Sequence, residues 1–452
     1  MTLEEKGIKK IGDKLLIDLF PINRSVTGEG VRKTFTILKE IVNINIHEIP
    51  SGIKCADWKI PNEWNVKDAY IKTSSGKKII DFNKNNLHLL NYSTPINKKL
   101  KFSELKNHLY SLPRLPHAIP YRTSYYSKNW GFCISYNQYR RLNHYDTYHV
   151  YIDSTLKPGS LTYADKVLKG TSGQEFLVTT YCCHPSMAND NVSGMVLWTL
   201  LLKRLQSKKT YHSYRFLIAP ETIGSLAYLS KNKKTLMKVL GGFVITTVAG
   251  PGKFGYKRTF LGNHLIDRIV RLVFRDLKLK YLEYPFDIQG SDERQFSSHP
   301  FRIPIGTISK DKYYEYDYYH TSLDNLKFIN INNLFKTYKL YSLAIDYLEM
   351  NRVFSPTLSF GEPMFSKRAL YPTIGGQINP RYSETFYRKN HSLFLEQNKI
   401  RDDNLKIIRW LMFYCDEKLS LLDISEKTGV SMASLYTNAI TLKKLGLLKE
   451  QK

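Results

Sequence analysis

The chain has 452 residues, 42% of them hydrophobic, and a formal net charge of +27. That length exceeds a single small core and implies two or three domains, with ample apolar material to pack them. Nowhere do about 18 apolar residues run together, which excludes a membrane-spanning helix, and the lysines are dispersed along the chain instead of gathered into one polyanion-binding stretch.

The opening MTLEEKGIKKIGDKLLIDLF is charged and helical in period, without the apolar core of a secretory leader. Residues 51–155 are dense in short β-like runs and turn signals, with an SSGKK hairpin candidate at 74–78, and are expected to form an inserted β-rich domain. Residues 1–50 and 156–358 are expected to form an α/β core. There EFLVTTY, VSGMVLWTLLLKRL, YRFLIAP, SLAYLSKNKKTLMKVL and GGFVITTV alternate strand and helix patterns. A Pro- and Gly-containing connector, 359–380, leads to helical patterns assigned to a domain at 380–452. Within it LLDISEKTGVSMASLYTNAITLKKLGLL has the Gly-centred turn of a helix-turn-helix, with Ser431 as cap of the second helix. That second helix carries no arginine and has its lysines, Lys443 and Lys444, only near the end, so DNA is not the favoured partner. Five cysteines (Cys55, Cys133, Cys182, Cys183, Cys415) are odd in number, scattered and without repeated CxxC spacing, which fits a reducing cytoplasm.

In a sheet of this kind, functional groups collect beyond the carboxyl ends of the strands. His184 ends one apolar run, Asp190 precedes a helix that it could cap, Glu221 ends a second run, and His320 lies in the loop after IPIGTIS. Imidazole and carboxylate bind Zn²⁺ while leaving one position for water, so His184, Asp190 and His320 make a candidate ligand set. Glu221 is the candidate base. Arg294 is a candidate for holding a substrate carboxylate or phosphate. Asp292 is a candidate substrate contact, an orienter of His320 or a replacement ligand. Cys182 and Cys183 read as buried small hydrophobes, and the tyrosine-rich run 313–319 as a packed loop.

HP at 184–185, NDNVSG at 189–194, PETIGSLAYL at 220–229, GSDERQF at 290–296 and YHTSLDNL at 319–326 resemble the motif series of zinc aminopeptidases of the leucyl-aminopeptidase and glutamate-carboxypeptidase clan. More closely, PINRSVTGEGVR (21–32), WNVKDAYI (64–71), NLHLLNYSTP (86–95), IPYRTSYYSKNWGFC (119–133) and YKRTFLGNHLIDR (256–268) resemble a bacterial aminopeptidase-like family with a nested β domain and a C-terminal winged helix. The resemblance implies a phosphorylase/hydrolase-like α/β zinc-peptidase core and metal ligands at His184 and His320. Asp190 would be the carboxylate that bridges two ions where two are present. It also implies a pair of glutamates where this chain has Pro220 and Glu221, and an aspartate after the next strand where it has Ala249 or Gly250. A single zinc is therefore expected, with Glu221 keeping the role of base.

The expected function is hydrolysis of a peptide or aminoacyl amide bond in a small peptide-like or amino-acid-conjugate substrate, without a membrane partner and compatible with a homo-oligomer. Relatives encoded near surface-glycan biosynthesis genes suggest an amide on a sugar, and a cyclase reaction on a similar core is a variant of the same chemistry. The competing expectation is a degenerate peptidase fold that binds a ligand and contacts DNA or a partner through the winged helix.

Overall fold

The computed structural model describes residues 3–368, 370 and 402–451. Residues 371–380 of the expected connector, and the expected start of the last domain at 380, lie outside the described residues. The chain divides into two compact units, Met1–Phe274 with Lys278–Ser342, and Arg275–Leu277 with Leu343–Lys452.

The first unit opens with helices α1 (Leu3–Leu19) and α2 (Glu29–Lys39) and strand β1 (Asn45–Pro50). The segment expected as an insert follows within the same compact unit as β2 (Glu63–Lys72), β3 (Lys78–Asp81), β4 (Ile96–Lys101) and β5 (Thr147–Lys157), an antiparallel sheet in the order β3-β2-β5-β4. The SSGKK segment does turn the chain between β2 and β3, closed by Thr73 N–H donating to Lys77 O at 3.0 Å. The core then runs β6 (Ser160–Leu168), β7 (Glu175–Tyr181), α3 (Gly194–Gln206), β8 (Ser213–Ala219), α4 (Ile223–Lys231) and β9 (Val239–Val244). It continues with β10 (Phe254–Lys257), α5 (Leu265–Asp276), β11 (Tyr281–Tyr284), α6 (Glu293–Phe296), β12 (Ile305–Lys310) and α7 (Ile331–Met350).

These strands make an eight-stranded mixed sheet in the order β1-β6-β8-β7-β9-β12-β10-β11. Its centre, β8-β7-β9-β12, is parallel. Central parallel strands are covered on both faces, which is why their sequences are mostly apolar without a strict inside–outside alternation, and the one charged side chain inside β8, Arg215, is paired with Glu175. Every residue of β8 is buried, as is every residue of β7 after Glu175. Helix α3 is buried from Gly194 to Leu202 without a break, and the Trp198 indole N–H donates to Val178 O at 3.1 Å, fastening the helix to β7. Parallel order puts the carboxyl ends of four strands at one edge of the sheet. The insert reaches that edge through its 119–121 segment: Tyr121 N–H donates to His320 O at 2.8 Å and Ser322 N–H to Ile119 O at 2.9 Å.

The second unit contains β13 (Phe354–Pro356), α8 (Asp402–Tyr414), α9 (Leu421–Thr428), α10 (Met432–Lys444) and β14 (Leu448–Glu450), with β13 and β14 antiparallel. Gly429, at φ 74°, closes α9 in the left-handed conformation that glycine adopts without strain. The Ser431 hydroxyl caps α10 by accepting Ser434 N–H at 3.2 Å, as the sequence predicts. No helix among the described residues is long and apolar enough to cross a membrane.

Candidate metal centre

The chain leaves β7 at Tyr181 and reaches His184 three residues later, then makes a single wide turn, Ala188–Ser193, before α3. The Asp190–Asn191 peptide bond in that turn is cis. Asp190 does not cap α3. The helix starts later, at Gly194, without a side-chain cap, and the Asp190 carboxylate instead faces Tyr181 and His320. Gly194 is required by close approach: a Cβ there would lie 2.0 Å from Asn191 Oδ1 and 2.7 Å from Ile245 O.

His184, Asp190 and His320 meet at the sheet edge, with one donor atom from each within 4.8 Å of the others. Donors of a tetrahedral zinc with bonds of about 2.0–2.2 Å lie roughly 3.3 Å apart, and Asp190 Oδ2 is 3.0 Å from His320 Nε2. Both of these atoms are buried, yet neither makes a hydrogen bond of acceptable geometry, even to the other. Buried polar atoms without partners are rare, and a carboxylate oxygen and a ring nitrogen converging on one point are the donor types that a cation joins. The donor set therefore fits zinc. Glu221 Oε2 stands 3.9 Å from His184 Nε2.

Electrostatics favour the same assignment. Burial takes His184 down to about 4, with His320 and Arg24 adding to the effect and Asp190 opposing it, so the imidazole is neutral at neutral pH and offers a lone pair. Burial alone would raise Asp190, but His184, His320 and the Tyr181 hydroxyl bring it down to about 2 and keep it ionised. Burial, Asp292 and Asp190 push Glu221 well above the usual carboxylate range.

A family profile described as a domain of unknown function, DUF4910, matches residues 13–351. The chain belongs to the DUF4910 family. It is 42% identical over 435 residues, 96% of this chain and 95% of the relative, to a Clostridium acetobutylicum protein provisionally named a polysaccharide biosynthesis protein with aminopeptidase-like domain. A crystal structure of a provisionally assigned peptidase from the same species matches at a TM-score of 0.87 and 40% identity, over 99% of this chain and 98% of that one. Two more distant structures share the fold over 75% of this chain. They are a zinc aminopeptidase from Bacillus subtilis (TM-score 0.55, 14% identity, 94% of that chain) and a peptidase M28 precursor from Shewanella amazonensis (TM-score 0.50, 11% identity, 96% of that chain). This DUF4910 chain thus has the α/β fold of aminopeptidase-like proteins.

Around the donors, the DUF4910 chain shows supports that sequence reading passed over. Asp324, inside the quoted YHTSLDNL motif, accepts the backbone N–H groups of Asn189 at 2.6 Å and Asp190 at 3.0 Å, and the Tyr316 hydroxyl at 3.0 Å. Tyr316 and Tyr319 are thus more than loop packing, since Tyr319 stacks on the His320 ring with centroids 3.9 Å apart. Arg24 is fully buried and donates from Nε to His184 O at 2.9 Å. Tyr121, from the insert, packs against both imidazoles, with centroids 5.4 Å from His184 and 5.3 Å from His320.

Asp292 is buried, and its carboxylate accepts Thr222 N–H at 2.7 Å. That fixes it against the turn that carries Glu221. Arg294 is partly exposed in the same loop, with a buried Nε that makes no hydrogen bond. The loop is anchored by Lys257, whose Nζ donates to Glu293 Oε1 at 2.7 Å and Gln289 O at 2.6 Å, while the Tyr313 hydroxyl donates to the same Glu293 oxygen at 2.7 Å. Cys182 and Cys183 are both buried as expected, but Cys183 is also a neighbour of the site: its Sγ accepts Glu221 N–H at 3.3 Å.

Asp324→Asn tests the supporting layer. The amide has one acceptor oxygen where the carboxylate has two, so the N–H of Asn189 or Asp190 loses its partner, at a cost of about 1–3 kcal/mol. The expected result is a 10–100-fold weaker zinc affinity, the range seen when outer partners of ligands are removed, measured by competition with a chelator. An unchanged affinity would show that Asp324 does not set the Asp190 position.

Proposed function

We propose that this chain is a zinc-dependent hydrolase of a peptide or aminoacyl amide bond, with His184, Asp190 and His320 as ligands and Glu221 as base. The observation that carries the reading is the pair of buried atoms without hydrogen bonds, Asp190 Oδ2 and His320 Nε2, beside a neutral His184. Zinc, when bound, supplies a Lewis acid that acidifies water and polarises a carbonyl oxygen. The chain's own residues do the rest. Glu221, held by Cys183 Sγ at its own N–H and by Asp292 at the next, takes the proton of the attacking water and returns it to the departing amine. A raised proton affinity suits that task. Tyr121 and Tyr319 flank His320 and restrict its ring. Arg294 is the candidate contact for an anionic group on the substrate, and Asp292 is better read as the support of the Glu221 turn.

The name of the Clostridium relative supports a substrate in glycan assembly, such as an amino acid joined to a sugar by an amide. The domain reading remains that of a core (1–50 and 156–358) with a β insert (51–155) and a terminal winged helix. For the last, support comes from α9, Gly429, the capped α10 and the β13–β14 pair. The first turns of α10 carry no basic side chain, which favours packing over DNA reading.

Elemental analysis and an aminoacyl-amide hydrolysis screen test the proposal together. About one zinc per chain is expected, with hydrolysis abolished by a chelator and restored by zinc. A chain that takes up no metal after zinc supplementation would instead support the ligand-binding alternative.

A further inference from the structure

We propose that the hydroxyls of Tyr181 and Thr246 close the second ion position beside Asp190, so that this centre holds one divalent cation and no more. The inference rests on the zinc reading above and concerns what limits it. A carboxylate that bridges two cations gives one oxygen to each, at about 2.0–2.2 Å, with the ions roughly 3.5–4 Å apart. The two oxygens of Asp190 are not equivalent in this way. Oδ2 is the atom without a hydrogen bond, 3.0 Å from His320 Nε2. Oδ1 accepts the Tyr181 hydroxyl at 2.5 Å, and that hydroxyl is 2.6 Å from Thr246 Oγ1.

The fold explains why this pair sits there. Tyr181 ends β7 and Thr246 follows β9, the parallel neighbour of β7, with Ile245 N–H donating to Thr179 O at 2.8 Å to hold the two ends together. Both side chains are buried. A second cation on Oδ1 would have to break a short hydrogen bond and desolvate against two neutral hydroxyls. A buried divalent ion needs anionic donors for charge balance, and the segment after β9 reads Thr246-Thr247-Val248-Ala249-Gly250, without a carboxylate. Nor is that segment free to rearrange: Ala249 N–H donates to Asn189 Oδ1 at 2.9 Å, Asn330 N–H to Ala249 O at 3.0 Å, and the Thr337 hydroxyl to Val248 O at 2.8 Å.

A second three-donor group, Cys183, His184 and Glu221, offers no way around this limit. It shares His184 with the first group, so filling both would ask one side chain to serve two ions. The two groups are alternatives. The Tyr181 hydroxyl therefore acts as a fixed neutral cap that turns Asp190 from a bridge into a terminal ligand, with Oδ2 aimed at the single ion.

The test is stoichiometry, read by calorimetric titration of the chelator-stripped full chain with Co²⁺ and by elemental analysis after removal of excess metal. Wild type is expected to saturate at about one ion per chain. Tyr181→Phe frees Oδ1 but adds no charge and should remain at about one. Tyr181→Phe combined with Thr246→Asp frees the oxygen and supplies the missing anion, and should reach about two, with the absorption or magnetic signature of a coupled cobalt pair. A folded double variant that stays at one ion overturns the inference. So do two ions in wild type, a measurement that stands even if the double variant does not fold. An empty wild type overturns the zinc reading itself and this inference with it, so the two failures are distinguishable.

Discussion

His184→Ala is expected to bring the zinc content of the purified chain close to zero and hydrolysis to background. In the proposed ligand set the side chain contributes one of three donors, and its surroundings leave it little freedom to be replaced. Its backbone carbonyl is fixed by the buried Arg24, its ring is wedged between Tyr121 and Tyr181, and Glu221 stands 3.9 Å away. Removing outer partners of metal ligands already costs 10–100-fold in affinity, so loss of the ligand should exceed about 100-fold. A thermal readout separates this from general damage. A ligand present at 100 times its Kd stabilises the native state by about 2.7 kcal/mol, so stripping metal from wild type should lower its melting temperature by several degrees. The variant should melt near the stripped wild type and show no further response to chelator. Retention of about one zinc by His184→Ala would remove His184 from the ligand set and point to donors elsewhere.

The parts legible in the sequence were those governed by local pattern. Strands β7 and β8 read as mostly apolar runs because each is buried on both faces, and the polar residue just past each, His184 or Glu221, falls at the carboxyl edge of the sheet by topology alone. Cap chemistry at Gly429 and Ser431 is equally local. What pattern could not show was which distant groups answer one another. Asp324 reaches Asn189 and Asp190 across more than a hundred residues, and the insert segment around Tyr121 is stitched to the His320 loop across two hundred. Asp292 was offered as an orienter of His320 because carboxylates commonly fix the imidazoles of metal ligands. The contact the fold gives it, with Thr222 N–H in the Glu221 turn, follows from the sheet order and not from any local pattern. Asp190, read as a ligand, could by position have been only an N-cap; the wide turn at 188–193 delays the helix start and leaves its carboxylate facing Tyr181 and His320. Tyr181 was read only as the end of a strand. Its hydroxyl acquires meaning through Asp190 and Thr246, which no spacing rule connects.

Glu221→Gln is expected to keep the metal and lose turnover, by about 10²–10⁴-fold in kcat with little change in KM, the range for removal of a general base. The substitution preserves shape, and Glu221 is not among the donors that converge on Asp190 Oδ2. Stability should hold or rise slightly. In wild type, burial and the neighbouring Asp292 disfavour the ionised carboxylate, a penalty that a neutral amide does not carry. Retained zinc, a retained melting temperature and lost turnover would together assign the base, because a structural role would have moved the first two. The opposite pattern has a definite meaning as well. If Glu221→Gln releases the ion, then Glu221 is a ligand, the Cys183–His184–Glu221 group becomes the place where metal is held, and the proton acceptor must be sought among the other carboxyls near that turn, Asp292 first.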